Sequence, residues 1–178
     1  FEVEKVSFIA FNNINYKDSG GYKGHFTESQ ISFVSSYMDH VPKDNLVVLM
    51  MHIPVIGCDN REEIFRIIEK HPNTLSIAGH THELSNMFID ASRGWNGKHP
   101  HHLFINGTVC GSWWCGIKDE SGIPHATMND GAPNGYAVIA FDGNKYNIRY
   151  KAARRPDDYQ MNIYLPEEIG TSAIDTVN

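Results

Sequence analysis

The 178 residues are 41% hydrophobic and 20% charged, an ordinary globular usage that excludes a disordered or fibrous chain and is long enough to bury a sizeable core. A formal net charge of -6, with 15 Lys and Arg scattered along the chain, excludes an extended nucleic-acid-backbone binder, which needs clustered cations. A phosphorylated substrate stays admissible, because bound cations reverse the local field of a site, and no apolar stretch reaches the ~20 residues of a transmembrane helix.

Phe1 to Phe11 reads as a strand, with neither an initiator Met nor a leader before it, as expected of a chain cut upstream. Gly20, Gly21 and Gly24 break that pattern. Thr27 with Gln30 then forms a capping box before Ile31, Val34, Met38 and Val41, a helix stopped by Pro42. Leu46 to Met51 is an uninterrupted apolar run of strand length, the pattern of a strand buried on both faces, and it ends at His52. Asn60 with Glu63 gives a second capping signature for the stripe Ile64, Ile67 and Ile68, and Leu75 to Ala78 is a short strand. Strands alternating with helices over this half predict an α/β layered domain with a largely parallel sheet.

Past residue 83 the helix signals stop. Leu84 to Ile89, His102 to Asn106, Tyr136 to Phe141 and Lys145 to Lys151 read as strands, the last two joined by a hairpin at Asp142, Gly143 and Asn144. The boundaries that follow are residues 1–106 for the α/β part and 107–178 for a loop-rich β region with a frayed tail. The stretch from Gly107 to Asn134 is longer than a plain connection and predicts a functional or disordered loop. Of the cysteines, Cys58, Cys110 and Cys115, the last two could pair or stay as thiols, and the odd count rules out a complete disulfide framework.

Two elements carry chemistry. Gly79-His80-Thr81-His82 follows an apolar strand, and imidazoles two apart in a turn can serve neighbouring metals, with Gly79 free to take the torsion that turns both rings inward. Met51-His52-Ile53-Pro54 places a histidine at the end of a buried strand. Both elements fall at carboxyl ends of parallel strands, where ligands collect in open α/β sheets. Against a metal site stand ordinary loop histidines and, for His52, a satisfied core histidine. His99, His101 and His102 form another cluster, but lack a glycine scaffold and are expected to decorate a surface loop.

A His-x-Pro element after an apolar strand, followed by Gly-His-x-His after the next, resembles the last two motifs of the calcineurin-like metallophosphoesterases. Gly20-Gly21-Tyr22-x-Gly24, Gln30, Val41-Pro42-Lys43-Asp44, Gly111-Ser112-Trp113-Trp114 and Asp130-Gly131-x-Pro133-Asn134-Gly135-Tyr136 extend the likeness to a bacterial subgroup with an extra C-terminal domain. The resemblance implies the C-terminal half of a layered α/β-β/α sandwich followed by a β-rich region. It also implies two divalent metals (Mn, Fe or Zn) and a hydroxide that attacks phosphorus in line. His52 and His80 would serve one metal and His82 the other. Export or a periplasmic location in a bacterium is implied by the same subgroup.

The sequence has no Asp-x-His, Gly-Asp or Gly-Asn-His, the motifs from which the family draws its bridging aspartate, its asparagine ligand and the histidine that protonates the leaving group. Three neutral imidazoles do not offset two divalent charges a few ångströms apart. The expectation is therefore a phosphomonoesterase or phosphodiesterase portion inactive alone. The alternatives are a noncatalytic module binding a glycan, lipid head group or protein, and a single zinc on His52, His80 and His82. Trp113 and Trp114 could gate a pocket or anchor an interface or core, and Asp130 and Asn134 could orient substrate or stay solvated. Unpaired strand edges predict a homodimer or swapped assembly.

Overall fold

The computed structural model describes residues 1–110, 116–120, 122, 124 and 128–159. The chain has a mixed α/β fold built on one six-stranded sheet, in the order β1 (Glu2–Val3), β2 (Val6–Ala10), β5 (Leu46–Met50), β6 (Thr74–Ala78), β8 (His101–Ile105) and β7 (Ser85–Ile89). β2, β5, β6 and β8 run parallel, and only the edge strands β1 and β7 are antiparallel.

Period-two alternation divides β5 between two cores. Val47 and Leu49 face the side covered by α1 (Glu28–Met38) and α2 (Arg61–Ile68), whereas Leu46 and Val48 face the hairpin of β9 (Gly135–Asp142) and β10 (Lys145–Ala152). Both faces are therefore dry, which is why the run reads as continuously apolar. The helices bury Val34, Met38, Ile64, Phe65 and Ile68, and the hairpin presents Ala137, Ile139, Tyr146 and Ile148 to the opposite face. Complete burial of a side chain such as Ile64 is worth about 1.5–3 kcal/mol, so these two layers carry most of the driving force.

Thr27 forms the expected capping box with Gln30. Asn60 does not cap α2 through its side chain. Its amide instead accepts from Phe26 N (3.0 Å) and donates to Phe26 O (2.8 Å), pinning the segment before α1 to the start of α2. A second hairpin, β3 (Ile14–Tyr16) with β4 (Tyr22–Gly24), arises where the sequence shows only a broken pattern. Gly20 and Gly21 occupy its tip at φ 87 and 77, a conformation that disfavours residues with a Cβ.

His101 and His102 correct the surface-loop expectation. They belong to β8, because Leu103, Phe104 and Ile105 continue the same strand and alternation sends the two rings to opposite faces. His101 is fully buried, with Thr74 Oγ1 on Nδ1 and Ser76 Oγ on Nε2, both at 2.7 Å, and the Trp95 ring alongside. His102 lies between Tyr146 OH (2.6 Å) and Asn86 Oδ1 (3.1 Å) and stacks on Phe88. His99 alone of the three is exposed.

Burial, then the neighbouring His102, depresses His101 from 6.5 to about 3. The unfolded chain therefore takes up this proton first, so the stability His101 contributes is intact above pH 6.5 and is lost as pH falls toward 3. Urea unfolding across that window should show a shallower acid loss in His101→Gln, which keeps hydrogen-bonding groups but cannot be protonated there. Parallel pH profiles for the two proteins would contradict the assignment.

Candidate metal centre

The histidines meet because β5 and β6 pair in register from Val47 opposite Thr74 to Met50 opposite Ile77, and their backbones stay joined beyond the strands. Met51 N donates to Ile77 O at 3.0 Å and Gly79 N to His52 O at 3.1 Å. The buried amide of Asn13 fixes the turn after His52, accepting from Ile53 N (3.2 Å) and donating to Ile53 O (2.7 Å). On the other side, Asn129 holds the loop of the second pair. Its backbone donates to His82 O and its side chain to Thr81 O, both at 2.7 Å.

His52 Nε2 and His80 Nδ1 are 3.2 Å apart, with ring centroids at 4.9 Å. Two nitrogens at ~2.0–2.1 Å from one tetrahedral ion are separated by about 3.3 Å, so the pair already has the spacing of two ligands on one cation. Burial first, then the charges of His52 and His82, holds His80 below its ordinary pKa. That keeps an imidazole lone pair available, the form a metal requires. Among the described residues no three His, Cys, Asp or Glu side chains converge as a group able to hold an ion. Two imidazole nitrogens, at present hydrogen-bonded to each other, are thus the donors that approach ligand spacing, and among the described residues they do not by themselves complete a coordination sphere.

Gly79 does not supply the unusual torsion expected of it. His80 and His82 themselves adopt φ 73 and 54, whereas Gly79 is outside the left-handed region and a Cβ there would meet nothing within 4 Å. Each left-handed histidine costs roughly 1–2 kcal/mol, sustained by the backbone ties to Asn129 and by the sheet beneath.

The other candidates are dispersed. Asp130 accepts from Leu84 N (2.8 Å) and Ala132 N (3.0 Å), so its carboxylate ties the histidine loop to the turn at 128–132. Asn134 donates to Val109 O at 2.8 Å. Trp113, Trp114 and Cys115 lie outside the described residues. The buried thiol of Cys58 is pushed up to about 11, chiefly by desolvation, and is unreactive as a nucleophile.

Sequence reasoning did not reach three features beside the histidines. The Tyr22 and His80 rings meet edge-to-face with centroids 5.7 Å apart, and Asp59 binds both Lys23 and His25. Thr81 Oγ1 and Asn106 Oδ1 are buried without hydrogen-bond partners. The signal for Tyr22 and Lys23 was present in the Gly-Gly-Tyr-x-Gly run, but only the bridge from Gly24 to Cys58 and the Tyr22–His80 contact reveal which site that run approaches.

Residues 104–177 match a family model described as the C terminal of calcineurin-like phosphoesterase. The match supports the calcineurin-like phosphoesterase superfamily. The matched segment starts inside β8 and includes the β9–β10 hairpin, so the three histidines lie before it. No curated protein matches the chain. Among the described residues no helix is long and apolar enough to cross a membrane.

The left-handed torsions give a direct test. His80→Gly and His82→Gly should each be more stable than the corresponding Ala variant by about 1 kcal/mol in chemical denaturation, because glycine alone relieves the backbone. Equal stability of the Gly and Ala variants would mean that neither histidine holds a strained backbone.

Proposed function

We propose that this chain contributes the histidine side of a divalent-metal centre for phosphoester hydrolysis, with His52 and His80 holding one ion and His82 directed to a second. The observation that carries this reading is the 3.2 Å approach of His52 Nε2 to His80 Nδ1 at the carboxyl ends of two parallel strands. The superfamily match downstream of these residues supports the same chemistry.

Ions bound there would neutralise charge at the phosphoryl group and lower the pKa of water to provide a nucleophile near neutrality. The chain's own part is positional. Asn13 fixes the turn bearing His52, Asn129 and Asp130 fix the loop bearing His80 and His82, and the depressed pKa of His80 preserves its neutral form. Three uncharged ligands do not compensate two divalent charges, so full activity calls for carboxylate ligands, and among the described residues no group of three or more ligating side chains supplies them.

The test is metal retention. After equilibration with Mn or Zn and dialysis at neutral pH, mass spectrometry should find at least one ion per chain. Affinity should fall at least ten-fold in His52→Ala and in His80→Ala, and the ion should be released in acid, since ligation requires neutral imidazole. Retention unchanged in both variants, or no ion retained at all, would refute the centre. The second outcome would leave a noncatalytic binding module as the better reading of the superfamily match.

A further inference from the structure

Beside the histidines, the β3–β4 hairpin and the turn after β5 enclose a cleft of about 410 Å³ with His80 in its wall. Its surface is largely apolar: Tyr22 on one side, Ile53 and Ile56 on another, and Met87 and Ile105 from the sheet. Lys23 and Glu83 are its charged members and are opposite in sign. Lys23 is moreover committed to Asp59, whose second oxygen is bound by His25 Nδ1 at 2.5 Å. These two partners, Lys23 foremost, depress the Asp59 carboxyl and so stabilise the pair as an internal one. Among the described residues the cleft therefore presents one lysine, already paired with a carboxylate, to any anionic group distant from the histidines.

The wall is held in place. Asp59 N donates to Gly24 O at 3.0 Å, and a Cβ on Gly24 would lie 2.9 Å from Gly57 O and 3.0 Å from both Cys58 Sγ and Ile53 Cγ2. Only glycine lets β4 approach this closely, and that approach sets Tyr22 over the cleft. Thr81 also lines the cleft, and its buried Oγ1 has no hydrogen-bond partner. A volume near the low end of small-molecule pockets, with apolar walls and few polar groups, suits a group of one or two rings.

We propose that this cleft receives the alcohol portion of the phosphoester, and that this portion is an uncharged, apolar group of aryl size rather than a nucleotide or a polyphosphate. The proposal rests on the metal-dependent reading for the placement of the phosphoryl group at the histidines, but the apolar subsite can be measured without metal.

The methyl-labelled 178-residue chain would be titrated with 2-naphthol, 2-naphthylphosphonate, inorganic phosphate and adenosine monophosphate, each with and without zinc. Naphthol should shift the Ile53, Ile56 and Met87 methyl resonances whether or not zinc is present. With zinc, the naphthylphosphonate should bind at least ten-fold more tightly than inorganic phosphate or the nucleotide. Tyr22→Ala should weaken naphthol binding several-fold, and Met87→Trp, which fills the cleft, should abolish it with the remaining methyl spectrum retained.

Naphthol shifts that fall elsewhere, or that persist unchanged in both variants, would overturn the proposal. So would a nucleotide that binds as tightly as the naphthylphosphonate. If zinc is not retained while naphthol still binds at these methyls, the metal reading fails and the apolar subsite stands.

Discussion

The hydrogen bond from Gly79 N to His52 O, continuing the β5–β6 ladder past the last residue of each strand, is the contact on which the site depends. Parallel pairing is slower to form and needs a crossover, here α2, but it sets two strand ends side by side. Two histidines 28 residues apart in sequence thereby reach 3.2 Å from each other. A one-residue slip would exchange every side chain of β5 between the helix-side and hairpin-side cores, and because both are apolar it is close packing on each face, not polarity, that opposes the slip and so holds the rings together.

That security offsets the strain above the sheet. His80 and His82 in left-handed backbone together cost roughly 2–4 kcal/mol. A few buried residues of β5 and β6 exceed that sum, and the Asn13 and Asn129 ties convert the surplus into fixed ring positions. Local strain concentrated at clustered imidazoles, above an otherwise regular sheet, is the observation that motivates the proposal of a site there. The turn at 128–132 contributes as well, which links the segment leading into β9 to the geometry of the histidine loop.

Much of this order was legible in the sequence because it rests on local chemistry. The Thr27–Gln30 capping box, the apolar run of β5 and the Asp142–Gly143–Asn144 turn each carry their own cause, and all are found where patterning places them. The failures are of another kind. Asn60 has the composition of a cap but is recruited by Phe26, 34 residues away, and His101 looks polar but finds two hydroxyls in β6. Left-handed backbone at a histidine carries only a weak propensity signal beside that of glycine, and tertiary ties impose it here, so sequence patterning assigned that freedom to Gly79 instead. The cleft was illegible for the same reason: Tyr22 and Met87 come together only through separate sheet pairings.

The most direct test is crystallographic location of the ion by anomalous scattering from crystals grown with zinc or manganese. The account predicts a peak within about 2.0–2.3 Å of both His52 Nε2 and His80 Nδ1, with the two rings no longer hydrogen-bonded to each other. A saturated crystal with no peak between those nitrogens, the direct His52–His80 contact intact and the metal bound elsewhere or absent, would contradict it.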